Sequence, residues 1–205
     1  MRYLDLDNAL LDLAIGAAAA SPNQVRKVGA VLVTADRSVE IAACNSFPPG
    51  IRNLPERAVG DNRFIWLEHA ERAAIFEAAR RGLATDGGTL VSTYFPCTDC
   101  ARAIVQAGIK TVATPRAEFD DPVWGESFRT SATILAEGAV EVILLTEDQA
   151  EIHRRIWARA EERRTPCRPP PATAAPRSKR RKAWCRPARP RSRRRPCRAA
   201  RCYRP

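Results

Sequence analysis

Residues 94–112 read YFPCTDCARAIVQAGIKTV, and the fold turns on how this run is parsed. The β-branched segment from Thr89 to Tyr94 predicts a strand, and Pro96 then introduces Cys97. A helix is expected from Thr98 to Ala107, stopped by Gly108, and a second strand from Lys110 to Thr114. Strand, helix and strand in that order imply neighbouring parallel strands with the helix on one face.

Working outward, the alternation continues on both sides. Downstream, an irregular segment through Trp124 leads to a helix over 126–137, an apolar strand over 140–145 and a charged closing helix over 147–163. Upstream, a helix over 69–81 ends at Gly82. Before it, strands over 28–34 and 39–45 are joined by Ala35, Asp36, Arg37 and Ser38, as in a hairpin. Leu10, Leu13, Ala14, Ala17 and Ala18 recur with helical period ahead of Ser21 and Pro22, which gives a first helix. The expected class is α/β: a three-layer α/β/α sandwich around a five-stranded mixed sheet. Residues 46–67 hold Pro48, Pro49, Gly50, Pro55 and Gly60 and predict a long structureless connection, of the kind reserved for a binding loop or lid.

Two short motifs carry chemistry. His69, Ala70 and Glu71 open one helix, and Pro96, Cys97, Thr98, Asp99 and Cys100 open another, matching the H-x-E and P-C-x-x-C pattern of zinc deaminases. Zinc takes nitrogen and sulfur donors in a tetrahedron, and a catalytic site leaves one position to water, so His69, Cys97 and Cys100 make a suitable donor set. The two cysteines are expected within the first turn of their helix, where unpaired backbone N–H groups favour thiolate. Glu71 lies two residues from His69, so both reach one metal only if the motif straddles an irregular helix start. From there Glu71 is expected to shuttle protons and not to serve as a ligand. A purely structural zinc site would need a fourth ligand. Cys44 and His153 are the only rivals in the body, and His153 lies on a polar helix where a solvated side chain is expected.

With those residues in place, the chain resembles the deoxycytidylate deaminase branch of the zinc-dependent cytidine deaminase superfamily. The resemblance spans about residues 20–145 and rests on SPNQVRKVGAVLV, NSFPPG, HAERAAI and the opening run. It implies a five-stranded sheet of cytidine deaminase-like type, with the two motif-bearing helices side by side beneath the sheet's C-terminal ends. It further implies hydrolysis of a small cytosine nucleotide, dCMP to dUMP and ammonia, a substrate contact from Asn45, and a homo-oligomer. Asn45 also suits a turn, because asparagine tolerates left-handed backbone. Ser46, Pro49 and Ala74 depart from the family pattern, as does the segment PRAEFDDPVWGESF over 115–128. Two other readings stay open: deamination of another aminated ring or of a base in RNA or DNA, and a non-catalytic scaffold. For a phosphate, Arg52, Arg57 and Arg63 are the nearest anchors. Phe64, Trp66 and Trp124 are candidates to stack on a base or to fill the core.

Charge divides the chain. Residues 163–205 hold 17 of the 34 Lys and Arg and none of the 23 Asp and Glu, leaving the first 162 residues at a net −6. The expected organisation is a deaminase-like domain over 1–162 and a basic, Arg/Pro-rich disordered tail over 163–205, with any nucleic-acid binding confined to the tail. Cys167, Cys185, Cys197 and Cys202 lie in the tail without ligand spacing. The segment after Met1 makes a poor secretion signal, and Ala17–Ala20 is too short to span a bilayer, so a cytoplasmic protein with no membrane partner is expected.

Overall fold

Along the central strands, successive side chains leave for opposite sides of one sheet. Val31, Val91, Ala113 and Ile143 enter one apolar cluster, whereas Leu32, Leu90 and Val112 enter another. This period of two is what a strand buried on both faces requires. In the computed structural model, which describes residues 8–164, five strands carry it: β1 (Gly29–Val33), β2 (Glu40–Cys44), β3 (Thr89–Ser92), β4 (Thr111–Thr114) and β5 (Glu141–Leu144). Their order across the sheet is β2-β1-β3-β4-β5. β1 runs antiparallel to both β2 and β3, and β3, β4 and β5 run parallel.

Helices cover both faces. On one side α1 (Asn8–Ala19) lies on β1, and α6 (Gln149–Arg164) closes over α1 through Leu11, Ile15, Ile152 and Ile156. The approach is close because Gly29 has no side chain: a Cβ there would fall 1.9 Å from the carbonyl oxygen of Ala14. On the other side α3 (Ala70–Arg81), α4 (Thr98–Gln106) and α5 (Gly125–Glu137) pack on the sheet and on one another through Ala70, Ala74, Ala101, Ile104 and Leu135. Three of the four buried residues of α3 are alanines, Ala70, Ala74 and Ala78, which brings its backbone close to the sheet, and α4 packs beside it.

The expected sandwich and strand count are present, with strands shorter than predicted by a residue or two at their ends. The connection over 46–67 is not structureless. It contains a 3-10 turn at Pro55–Arg57 and a one-turn helix, α2 (Asn62–Trp66). Its base is closed by paired backbone hydrogen bonds between Ser46 and Glu68, at 3.1 and 2.8 Å. The expected solvated His153 is also corrected: it is half-buried and accepts a hydrogen bond from the Trp157 indole N–H at 2.7 Å. The predicted disorder of the tail concerns residues that, beyond Arg164, lie outside those described.

Candidate metal centre and substrate cavity

His69 and Cys97 hold equivalent places, each the N-terminal cap of its helix with extended backbone (ψ 149° and 173°). Extended backbone at the cap turns the side chain away from the helix axis. With His69 at the cap and Glu71 in the first turn, both side chains reach the same sulfur, His69 Nδ1 and Glu71 Oε2 each 3.5 Å from Cys100 Sγ. Cys97 stands one step outside the turn in which it was expected, with Cys100 inside it.

The His69 Nδ1 atom lies 3.4 Å from Cys97 Sγ and 3.5 Å from Cys100 Sγ, and the three donor atoms all fall within 4.8 Å of one another. Zinc–nitrogen and zinc–sulfur bonds of about 2.0 and 2.3 Å at tetrahedral angles place N and S about 3.5 Å apart. The donors are therefore already spaced as the edges of a zinc tetrahedron, and the residues fit the ion. Among the described residues this is the only such cluster. Neither Cys44 nor His153 belongs to it, so no fourth protein ligand from the described residues closes the site, as a structural zinc would require.

Charge at the site is set by burial and by the sulfur pair. Without metal, the hydrogen bond from Cys100 holds the Cys97 thiol down at about 4. Cys100 is pushed far up by the same bond and by burial. The two sulfurs therefore titrate as a coupled pair, Cys97 the more acidic of the two. His69 is raised, first by its hydrogen bond to Cys97. The Glu71 carboxyl is 3% exposed, and burial raises its pKa. One carboxyl oxygen accepts from Ser92 Oγ at 3.2 Å and the other lies 3.5 Å from Cys100 Sγ.

Other side chains hold the two helix starts. The Thr98 N–H, which no turn of α4 satisfies, donates to Ser127 Oγ of α5 at 3.0 Å. Arg72 of α3 pairs with Glu68 and, at 3.7 Å, with Asp99 of α4.

A cavity of about 350 Å³ opens onto His69, Glu71 and Cys97. Asn45 lines it and is 7% exposed. Its amide oxygen accepts from the Val28 N–H and its amide nitrogen donates to the Arg26 carbonyl, each at 2.9 Å. Of the loop arginines, Arg63 lines the cavity. Arg57 stacks on Trp66, 3.9 Å from the ring centre, and Arg52 is exposed, so neither is at the cavity wall. Phe64 and Trp124 line the cavity and Trp66 does not. Sequence reasoning missed Arg26, Tyr94, Asp121 and Ser92. Arg26 and Asp121 come from distant segments, and Tyr94 and Ser92, though close to Cys97 in sequence, have no spacing to mark them.

A sandwich that presents one imidazole and two sulfur donors, an adjoining buried carboxyl group and an organic-sized cavity has the parts that define a zinc hydrolase. The chain belongs to the cytidine and deoxycytidylate deaminase family: residues 4–115 match the model of the cytidine and deoxycytidylate deaminase zinc-binding region. An uncharacterized deaminase of Aliivibrio fischeri is 32% identical over 123 residues, covering 60% of this chain and 81% of that protein. The deoxycytidylate deaminase of Homo sapiens is 28% identical over 125 residues, 58% of this chain and 69% of its own. Among solved structures, the apo dCMP deaminase of cyanophage S-TIM5 aligns with a TM-score of 0.54 at 27% identity, over 67% of this chain and 95% of its own. Among the described residues, no helix is long and apolar enough to cross a membrane.

Proposed function

We propose that this chain hydrolyses the exocyclic amine of a cytosine nucleotide, converting dCMP and water to dUMP and ammonia. The observation that carries the proposal is the buried Glu71 carboxyl, which lines the cavity beside His69 and Cys97. Zinc held by His69, Cys97 and Cys100 supplies the Lewis acidity that brings water within reach of ionisation near neutral pH. Glu71 takes the proton from the attacking water and passes it to the ring nitrogen beside the reacting carbon. The carbon–oxygen bond forms as the ring π bond opens. Glu71 then carries the second proton to the amine, which leaves as ammonia while the carbonyl is established. Ser92 orients the carboxyl for both transfers. The human deoxycytidylate deaminase and the cyanophage dCMP deaminase named above support the choice of ring, and Arg63 at the cavity wall is the proposed contact for the phosphate.

The test is loss of dCMP absorbance with zinc-loaded protein. Glu71→Gln keeps its shape and leaves the three donors in place, so it is expected to retain zinc while losing about 10²–10⁴-fold in kcat. Persistence of turnover in that variant rejects Glu71 as the proton carrier.

A further inference from the structure

Arg26 and Asp121, 95 positions apart, meet at the cavity wall with Nη2 and Oδ2 3.3 Å apart. The second carboxylate oxygen of Asp121 accepts the backbone N–H groups of Val123 and Trp124, each at 2.8 Å. The Asp121 carbonyl accepts the Gly125 N–H at 2.9 Å. This turn closes tightly: a Cβ on Gly125 would lie 2.2 Å from the carbonyl oxygen of Phe119. The Arg26 guanidinium sits 4.8 Å from the centre of the Tyr94 ring and 5.9 Å from that of Trp124. Trp124 in turn meets the metal donor His69 edge-on at 6.0 Å and lies nearly parallel to Phe128, at 22° and 6.5 Å.

We infer that Arg26 and Asp121 form a latch that fixes the Trp124 indole as the wall for a flat, aminated heteroaromatic ring beside His69. The inference rests on the deaminase reading and assigns the pair a positioning role. One carboxylate does two jobs: it organises the turn that carries Trp124, and it ties that turn to the segment leading into β1. Arg26 joins the leader of β1 to the turn and lies against two of the aromatic rings that line the cavity. Its charge faces Asp121, so its part in recognition runs through the indole and not through an anion on the substrate. Residues 115–124 thereby become the element that selects the ring. Neither end of the latch touches Glu71 or the cysteines, so the pair governs how the ring is held more than how fast it reacts.

The test uses the full-length, zinc-loaded protein and its Arg26→Ala, Asp121→Ala and double variants. Rates are measured with deoxycytidylate, and deoxycytidine serves as second substrate or competitive inhibitor. Each single variant is expected to raise KM roughly 10-fold, with kcat within about 3-fold, and the double to be no worse than the poorer single. The loss is expected to be equal for deoxycytidine, whose ring is the same. A loss confined to deoxycytidylate would make Arg26 an anion ligand and overturn the latch, as would unchanged KM or losses that multiply in the double. Tryptophan emission, taken as the difference between each protein and its Trp124→Phe counterpart, is expected to shift to the red in Asp121→Ala as the indole leaves its contacts. If the wild type turns over neither compound, the deaminase reading fails by itself. The emission shift then decides the latch, and its absence overturns it.

Discussion

Arg63 stands apart from the other arginines of its loop because it alone reaches the cavity wall. A charge-assisted hydrogen bond contributes about 1.5–3 kcal/mol. Arg63→Ala is therefore expected to raise KM for deoxycytidylate roughly 10- to 100-fold while leaving deoxycytidine binding unchanged, which steady-state kinetics with both compounds will show. His69, Cys97 and Cys100 were legible from sequence because metal geometry demands particular residue types at particular short spacings, and Glu71 because it stands two residues from His69 in the H-x-E motif. Arg63 was one of three equivalent loop arginines until the backbone placed it. Arg26 and Asp121 were illegible for a related reason: a charged side chain acquires a role only from its partner, and here the partner is 95 positions away.

At the scale of elements, the β1–β2 turn shows how one carboxylate organises a hairpin. Asp36 accepts from the Thr34 and Ser38 hydroxyls at 2.6 and 2.8 Å and from the Ser38 N–H at 3.1 Å, while Arg37 takes a left-handed φ of 58°. Those bonds, led by the one from Thr34, lower the Asp36 pKa from 3.8 to about 2. A depressed folded-state pKa means that the stabilisation is present above about pH 4 and is lost as pH falls through about 2. The gap in urea midpoint between wild type and Asp36→Ala is expected to narrow over that window and to be small throughout, since the group is at the surface. The helices and strands themselves were readable, because Gly82 and Gly108 stop helices where periodicity ends and β-branched runs fill the strands. α2 escaped notice because one turn is too short to show a period, and its Phe64 and Ile65 are exposed. The paired bonds of Ser46 with Glu68 are backbone contacts that no side chain announces.

For the whole molecule, the metal joins the starts of α3 and α4, so its removal should be felt beyond the site. At free zinc a hundredfold above Kd, ligation adds about 2.7 kcal/mol. Chelation is expected to lower Tm by roughly 5–10 °C for a chain of this size, with recovery on adding zinc, as read by differential scanning calorimetry. Apolar surface points to a second property. Val25, Phe64 and Val123 line the cavity and are 57, 47 and 70% exposed, and neighbouring Ile65 is 76% exposed. Such a patch around a site suits burial against another copy of the chain. Sedimentation is expected to find an assembly larger than the monomer, shifted towards monomer by Ile65→Asp and Val123→Asp together.

The closure of residues 47–67 by Ser46 and Glu68 makes the segment an exchangeable cassette. Its two ends are clamped to each other, and the clamp sits immediately before His69. Since the entropy of closing a loop grows by only about 0.6 kcal/mol per doubling of length, the insert can lengthen, shorten or be replaced without loosening the histidine that follows. Lineages descended from such a scaffold are free to trial new recognition surfaces while inheriting one working metal centre, and an engineer grafting foreign loops between those two residues exploits the same independence.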